Sequence, residues 1–140
     1  MAAASRGRRR RGAGDNAEDG AAVADFAMTA ALTALLVLVV IQVGLALHIR
    51  NTLIWCAGEG ARVGARVGSH PDAAAERARD LISQSLSDRF AGDVTASHQP
   101  VGDMLVVHVT VNAPVPVVGL WGPGRTMSVH ARAYAREVTG

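Results

Sequence analysis

Gly20, Ala21, Asp25 and Phe26 stand at spacings that would give a cut at the Gly20–Ala21 peptide bond a chemical consequence. Hydrolysis there removes an arginine-rich leader and leaves an amino group on Ala21, four residues before the Asp25 carboxylate. Residues four apart are neighbours on a helix, so the new positive charge and the acid attract one another. Uncut, Asp25 is an acid at the mouth of an apolar run. Such a group costs about 2.5–3.5 kcal/mol at the centre of a bilayer, and much less near an interface or in a first helical turn, where water and the helix dipole offset the charge. An interfacial acid with no further role is the plain alternative to a processing site.

Other chemistry has little to stand on. His48, His70, His98, His108 and His130 show no paired ligand spacing, and Cys56 is the lone cysteine. An intramolecular disulfide is excluded, and no metal site is expected. Ser69, Ser83, Ser85 and Ser87 sit in no nucleophile-elbow context, and no Gly-rich phosphate loop follows a strand. We therefore expect no catalytic residue and no cofactor. Cys56 reads as a small buried residue, with intermolecular pairing as the alternative.

The reactive residues need a helix to hold them, and the sequence supplies one. No charged residue occurs from residue 26 to residue 47, and a helix of that length, at about 1.5 Å per residue, covers the ~30 Å hydrocarbon layer of a bilayer. The run exceeds the roughly 7–15 apolar residues of a secretory signal, which favours retention in the membrane. Arg6, Arg8, Arg9, Arg10 and Arg11 precede it, against the sparser Arg50, Arg62 and Arg66 beyond it. That asymmetry places the N-terminus in the cytoplasm and the C-terminal part outside. Nucleic-acid or nuclear targeting and twin-arginine export are lesser readings of the same arginines. Residues 1–19 hold few apolar side chains to offset the entropy of ordering and are expected to be flexible. With 49% hydrophobic but only 4% aromatic residues, the composition suits a membrane chain rather than one that stacks bases, and no nucleic-acid partner is expected.

Beyond Leu47 the helical pattern continues. His48, Arg50, Asn51 and Thr52 mark the outer interface, where the amphipathic ring of Trp55 is at home. Ala57, Ala61 and Ala65 recur every four residues, as do Gly60, Gly64 and Gly68, laying small residues on adjacent stripes of one face as far as residue 68. Each glycine costs about 1 kcal/mol against alanine in a helix, so close packing must compensate. Either the chain's own sheet or another subunit approaches that face. Glu59 and Arg62, three apart, form a solvated ion pair.

Residues 57–65, Ala-Gly-Glu-Gly-Ala-Arg-Val-Gly-Ala, are similar to the Glu-Gly-Ala-Arg segment that follows the membrane helix in TadE-like minor pseudopilins of tight-adherence pilus systems. Gly20 to Phe26 resembles the Gly-x-x-x-x-Glu-Phe processing site of the same family, with Asp25 in place of the usual Glu. The resemblance covers roughly residues 20–68 and, more loosely, the C-terminal strands. It implies cleavage by a prepilin peptidase after Gly20, an inner-membrane platform, a secretion ATPase acting from the cytoplasm, and sister pseudopilins as partners. It also implies a role in assembling or priming a fibre rather than forming its bulk.

The remaining residues read as a small head. Ser69-His70-Pro71-Asp72 breaks the chain, and Pro71 suits the first turn of a new helix. Ala78, Ile82, Leu86 and Phe90 recur every four residues, with Leu81 beside them, giving an amphipathic helix that ends near Gly92. Glu76, Arg77, Arg79 and Asp80 form its wet side. The period then changes to two. Residues 94–99 form a strand, residues 100–103 a turn, and residues 104–111 a second strand with Leu105, Val107, Val109 and Val111 on one face. Residues 112–124 hold Pro114, Pro116 and Pro123, an irregular connection in which Val117, Val118, Leu120 and Trp121 plug the core edge. Residues 126–136 alternate again, with Met127, Val129, Ala131, Ala133 and Ala135 on the apolar side.

The expected fold class is α+β: a long N-terminal transmembrane helix, one amphipathic helix and a three-stranded antiparallel sheet, as in a pilin. In order, residues 1–20 are a cytoplasmic leader that is removed, 21–47 a membrane helix, 48–68 its extracytoplasmic extension, and 69–140 the head. The expected function is that of a minor pseudopilin in the assembly or priming of a tight-adherence type IV pilus, held in the lipid bilayer until extracted into or beneath it. The rival is an uncut, signal-anchored protein whose extracytoplasmic head binds a ligand or receptor. A soluble enzyme with an export signal is a fainter third.

Overall fold

The structure, a computed structural model, describes residues 12–66, 68–115 and 125–135. The expectations for Arg6 to Arg11 and for the plug formed by Val117, Val118, Leu120 and Trp121 lie outside the described residues. The chain is α+β, in the order α1 (Gly12–Gly64), α2 (Pro71–Ser85), a 3-10 turn (Asp88–Phe90), β1 (Asp93–Val101), β2 (Met104–Pro114) and β3 (Thr126–Ala135). It divides into two compact units, Met1–Val40 and Ile41–Gly140.

In the first unit residues 12–40 are helical and the side chains of residues 18–40 exposed, including Phe26 at 75%. An apolar helix fully open to solvent forfeits about 1.5–3 kcal/mol for each large side chain left unburied. A bilayer removes that deficit, and the segment Glu18–Gly64 is long and apolar enough to cross one. The chain thus fits a single-pass membrane protein. Within the run Thr33 Oγ1 donates to the Thr29 carbonyl at 2.8 Å, a bond internal to the helix, as a lipid environment demands. The expected flexibility of residues 1–19 is corrected for residues 12–19, which are helical. Extending an existing helix avoids the cost of nucleation, and the acids Glu18 and Asp19 stand towards its positive end.

The second unit carries the core. Leu53, Cys56, Ile82, Val94, Val107, Val109 and Val111 are fully buried, joined by Ile49, Phe90 and Val129. The sheet is antiparallel in the order β1-β2-β3, with Val94 opposite Val111 and Val111 opposite Val129. Gly102 and Asp103 alone connect Val101 to Met104. Gly102 has φ +60 and no other residue of that turn is positive, the pattern of a type II′ hairpin, which a side chain at the first central position would strain. The alternation expected on β2 and β3 places Val107, Val109, Val111 and Val129 inward; Leu105, Ala131, Ala133 and Ala135 are only partly covered.

Two helix ends differ from expectation. α1 ends at Gly64, and Gly68 lies beyond it with φ +78, so the small-residue ladder does not continue in helical form to residue 68. Bonds from Arg66 N–H to Val63 O (3.2 Å) and from Ser69 N–H to Arg66 O (3.0 Å) tighten the chain into a turn there. α2 starts at Pro71 as expected but stops at Ser85 rather than near Gly92. Leu86 N–H closes the last turn on Ile82 O at 2.8 Å, and the extended backbone of Ser87 starts a separate 3-10 turn. Phe90 still reaches the core, carried there by that turn.

Cys56 has no exposed surface, which removes the surface thiol that intermolecular pairing requires. Burial pushes its pKa up, with a hydrogen bond involving Ser85 as the smaller opposing influence. The reactive thiolate is therefore scarce as well as inaccessible. We expect Cys56 in the folded protein to resist maleimide for hours and to react fully once denatured; rapid labelling of the native protein would contradict this placement.

A candidate processing helix and a small-residue packing face

Gly20, Ala21, Asp25 and Phe26 all lie on α1 and are exposed. No atom outside the helix's own backbone and chain neighbours lies within 4 Å of a Cβ built on Gly20, so the bond to Ala21 is unobstructed by side chains. Glycine at this point also lowers local helix stability by about 1 kcal/mol against alanine, easing the unwinding that hydrolysis of a helical bond requires. Ala21 and Asp25 are one turn apart. After a cut at Gly20, the carboxylate stands in the first turns of the new helix, near both the amino group and the positive end of the dipole.

The second group of predicted residues is drawn together inside the chain. Ala57, Gly60, Ala61 and Gly64 are buried and Ala65 partly so, while Gly68 is exposed and outside the helix. A Cβ on Gly60 would lie 2.5 Å from the Ala74 carbonyl oxygen and 2.9 Å from Ala78 Cβ. One on Gly64 would lie 2.6 Å from Ala74 Cβ and 3.1 Å from Val107 Cγ1. The approaching element is thus chiefly α2, with the sheet contributing Val107, and the stripe is filled by the chain itself rather than left for another subunit. Ala74 and Ala78 are the partners that sequence reasoning did not pair with the glycines. Their own four-residue spacing on a helix was the signal, a second small-residue ladder facing the first.

On the other side of α1, Gly58 has nothing within 4 Å of a Cβ position, and Arg62 is paired with Glu59 as expected. Glu76, Arg77, Arg79 and Asp80 are exposed on α2. Arg79 is more than solvated, because its guanidinium donates to the Val94 carbonyl at 2.6 Å and ties α2 to β1. The histidines are dispersed. His48 is on α1, and His70 stands at the N-cap position of α2 without a side-chain capping bond. His98 pairs with Val107, and its Nε2 is buried without a hydrogen-bond partner. His130 lies between Thr110 (3.1 Å) and Ser128 (3.4 Å) on the outer sheet face. Among the described residues no three His, Cys, Asp or Glu side chains gather into a metal-binding group.

Residues 20–62 match the model of a family described as TadE-like protein, the family that the Gly20 and Glu59 motifs resemble. The matched segment begins at Gly20 and ends at Arg62, so it spans the apolar run and the first part of the buried stripe, Ala57, Gly60 and Ala61. No curated protein matches the chain. No solved structure matches it either.

Proposed function

We propose, from the TadE-like segment at residues 20–62 that associates this chain with tight-adherence pili, that it is a minor pseudopilin taking part in assembly or priming of the pilus. In this reading a prepilin peptidase removes residues 1–20. The helix that follows holds the protein in the membrane, with its N-terminal side in the cytoplasm and its head outside. The inner-membrane platform, the secretion ATPase and sister pseudopilins then act on it. The observation that carries the reading is the coincidence of Gly20, Asp25 and Phe26 with the mouth of the one apolar run in the sequence long enough to span a bilayer. Processing gives Asp25 a positive partner, and the exposed face of the helix becomes the surface by which subunits of a fibre meet.

The helix that runs unbroken through residues 12–64 also suits an uncut anchor, and the two readings differ in mass. In cells with an active prepilin peptidase we expect the mature chain to begin at Ala21; in cells lacking the peptidase it should keep its leader. An intact leader in both would discard the pseudopilin reading in favour of a signal-anchored binding protein.

A further inference from the structure

The two small-residue ladders set the direction of the head on the helix. Gly64 approaches Ala74, whereas Gly60 approaches both Ala74 and Ala78, so α2 runs antiparallel to α1. The C-terminal end of α2 and the turn Asp88–Phe90 are therefore carried back along α1, and Ile82 and Phe90 join Leu53 and Ile49 in one core cluster. β1 starts there at Asp93. It runs the other way, because His98 pairs with Val107, which packs by Gly64. The Gly102–Asp103 hairpin lies at the far end, roughly 27 Å from the start of β1 at ~3.3 Å per residue.

A second observation fixes how close this base comes to the apolar run. Among residues 18–48 only Gln42 and Ala46 are partly covered, all others being exposed. They continue the stripe of Ile49 and Leu53 at helical spacing, and Gln42 has a polar interaction of its own. Cover within the unit Ile41–Gly140 thus reaches below Leu47. Arg50, three residues further on, is only about 4.5 Å along the helix from Leu47. The headgroup layer extends roughly 5–7 Å beyond the hydrocarbon, so Arg50 falls within that layer when Leu47 marks the hydrocarbon edge.

We propose that the base of the head is a lipid-contacting surface on which Arg50 and Arg89 bind the phosphates of membrane lipids. The proposal rests on the reading that residues 26–47 span a bilayer. Both arginines are exposed. The Arg89 guanidinium sits 4.6 Å over the Phe90 ring; stacking of this kind holds the group in place while its N–H donors remain able to grip an anion in fork geometry. Asp88 and Asp93 carry negative charge at the same end, and Asp93 accepts a 2.9 Å bond from Asn112, which orients its carboxylate without removing its charge. The occupant is lipid because the helix carrying Arg50 passes directly into the charge-free run.

The full chain in vesicles of phosphatidylethanolamine and phosphatidylglycerol tests this, with the buried Cys56 left in place. An environment-sensitive label is attached at Asp88→Cys, Asp103→Cys or Leu36→Cys, and quenching is read with nitroxides on the lipid headgroup or deep in the acyl chain. We expect headgroup quenching at Asp88→Cys, none at Asp103→Cys, and deep quenching at Leu36→Cys. Absence of deep quenching at Leu36→Cys overturns the membrane span and the proposal together; deep quenching there with no headgroup quenching at Asp88→Cys overturns the proposal alone. Combining Arg50→Glu with Arg89→Glu, which reverses both charges, should lower the docked-to-lifted ratio on the order of a thousandfold in these vesicles, while Arg50→Lys with Arg89→Lys, which keeps the charge, retains most of the docking. Unchanged quenching in the Glu variant would remove the phosphate contact.

Discussion

Replacing Gly60 by alanine destabilises the head, while the same change two residues earlier, Gly58→Ala, stabilises it. Both glycines are interior to one helix, and alanine contributes the same propensity gain of about 1 kcal/mol at each. At Gly58 nothing opposes that gain. At Gly60 the new Cβ would stand 2.5 Å from the Ala74 carbonyl oxygen, a backbone atom that moves only if α2 moves. Separating two packed helices costs about 1–3 kcal/mol or more for each intruding group, and it also opens the contacts of Ala57 and Ala61. We expect a net loss of about 2 kcal/mol, or a fall in Tm of roughly 8–16 °C for a unit of this size, against a rise of a few degrees for Gly58→Ala. Thermal melts followed by circular dichroism in detergent would measure both. Gly64→Ala refines the expectation, because the closest obstacle there is the Ala74 side chain, at 2.6 Å. Adding Ala74→Gly should recover much of that loss and little of the loss at Gly60, where the obstacle is main chain. Equal shifts at positions 58 and 60 would mean that α2 does not pack on this stripe.

Gly20→Leu should leave the fold intact and abolish processing. No side chain approaches Gly20, and leucine is the better helix former, so lost cleavage could not be ascribed to misfolding. A peptidase that accepts only glycine before the scissile bond must shift the backbone to admit leucine, and a misplacement of about 1 Å lowers a rate on the order of a hundredfold. Asp25→Ala separates two roles within the motif. If the acid serves subunit contact, the variant is cut at the normal site, but pilus assembly fails because the amino group at position 21 loses its partner. Asp25→Glu should support assembly at least as well as the natural residue, since the added methylene extends the reach of the carboxylate towards a neighbour. Mass measurement of the N-terminus together with pilus content distinguishes these outcomes. An uncut Asp25→Ala chain would assign the acid to peptidase recognition instead.

Periodicity made several elements legible. A charge-free run of this length has few structural uses other than crossing a bilayer, because the side chains of Leu35, Leu36, Val39 and Val40 leave no polar face to turn towards water. The period-two runs at residues 104–111 and 126–136 placed Val107, Val109, Val111 and Val129 on one side of a sheet, which depends only on the pleat. Helix ends were harder to read. The four-residue spacing of Ile82, Leu86 and Phe90 suggested one helix, but those side chains reach the same core equally well with a break at Leu86 and a 3-10 turn beyond it. Burial pattern alone cannot distinguish the two.

By itself the sequence determined the α+β class, the membrane-length helix, the position of the Gly20 motif at its mouth and the existence of a small-residue face on residues 57–64, because each follows from residue type and local spacing. Only the tertiary structure decided what fills that face. A ladder of Ala57, Gly60, Ala61 and Gly64 specifies how closely a neighbour comes, not which neighbour comes. The choice of α2 over another subunit depends on a turn at residues 65–70 that sends Ala74 and Ala78 back along the same helix. That return also brings Ile82 and Phe90 into one core cluster with Ile49 and Leu53, a gathering of residues far apart in sequence that no local pattern encodes.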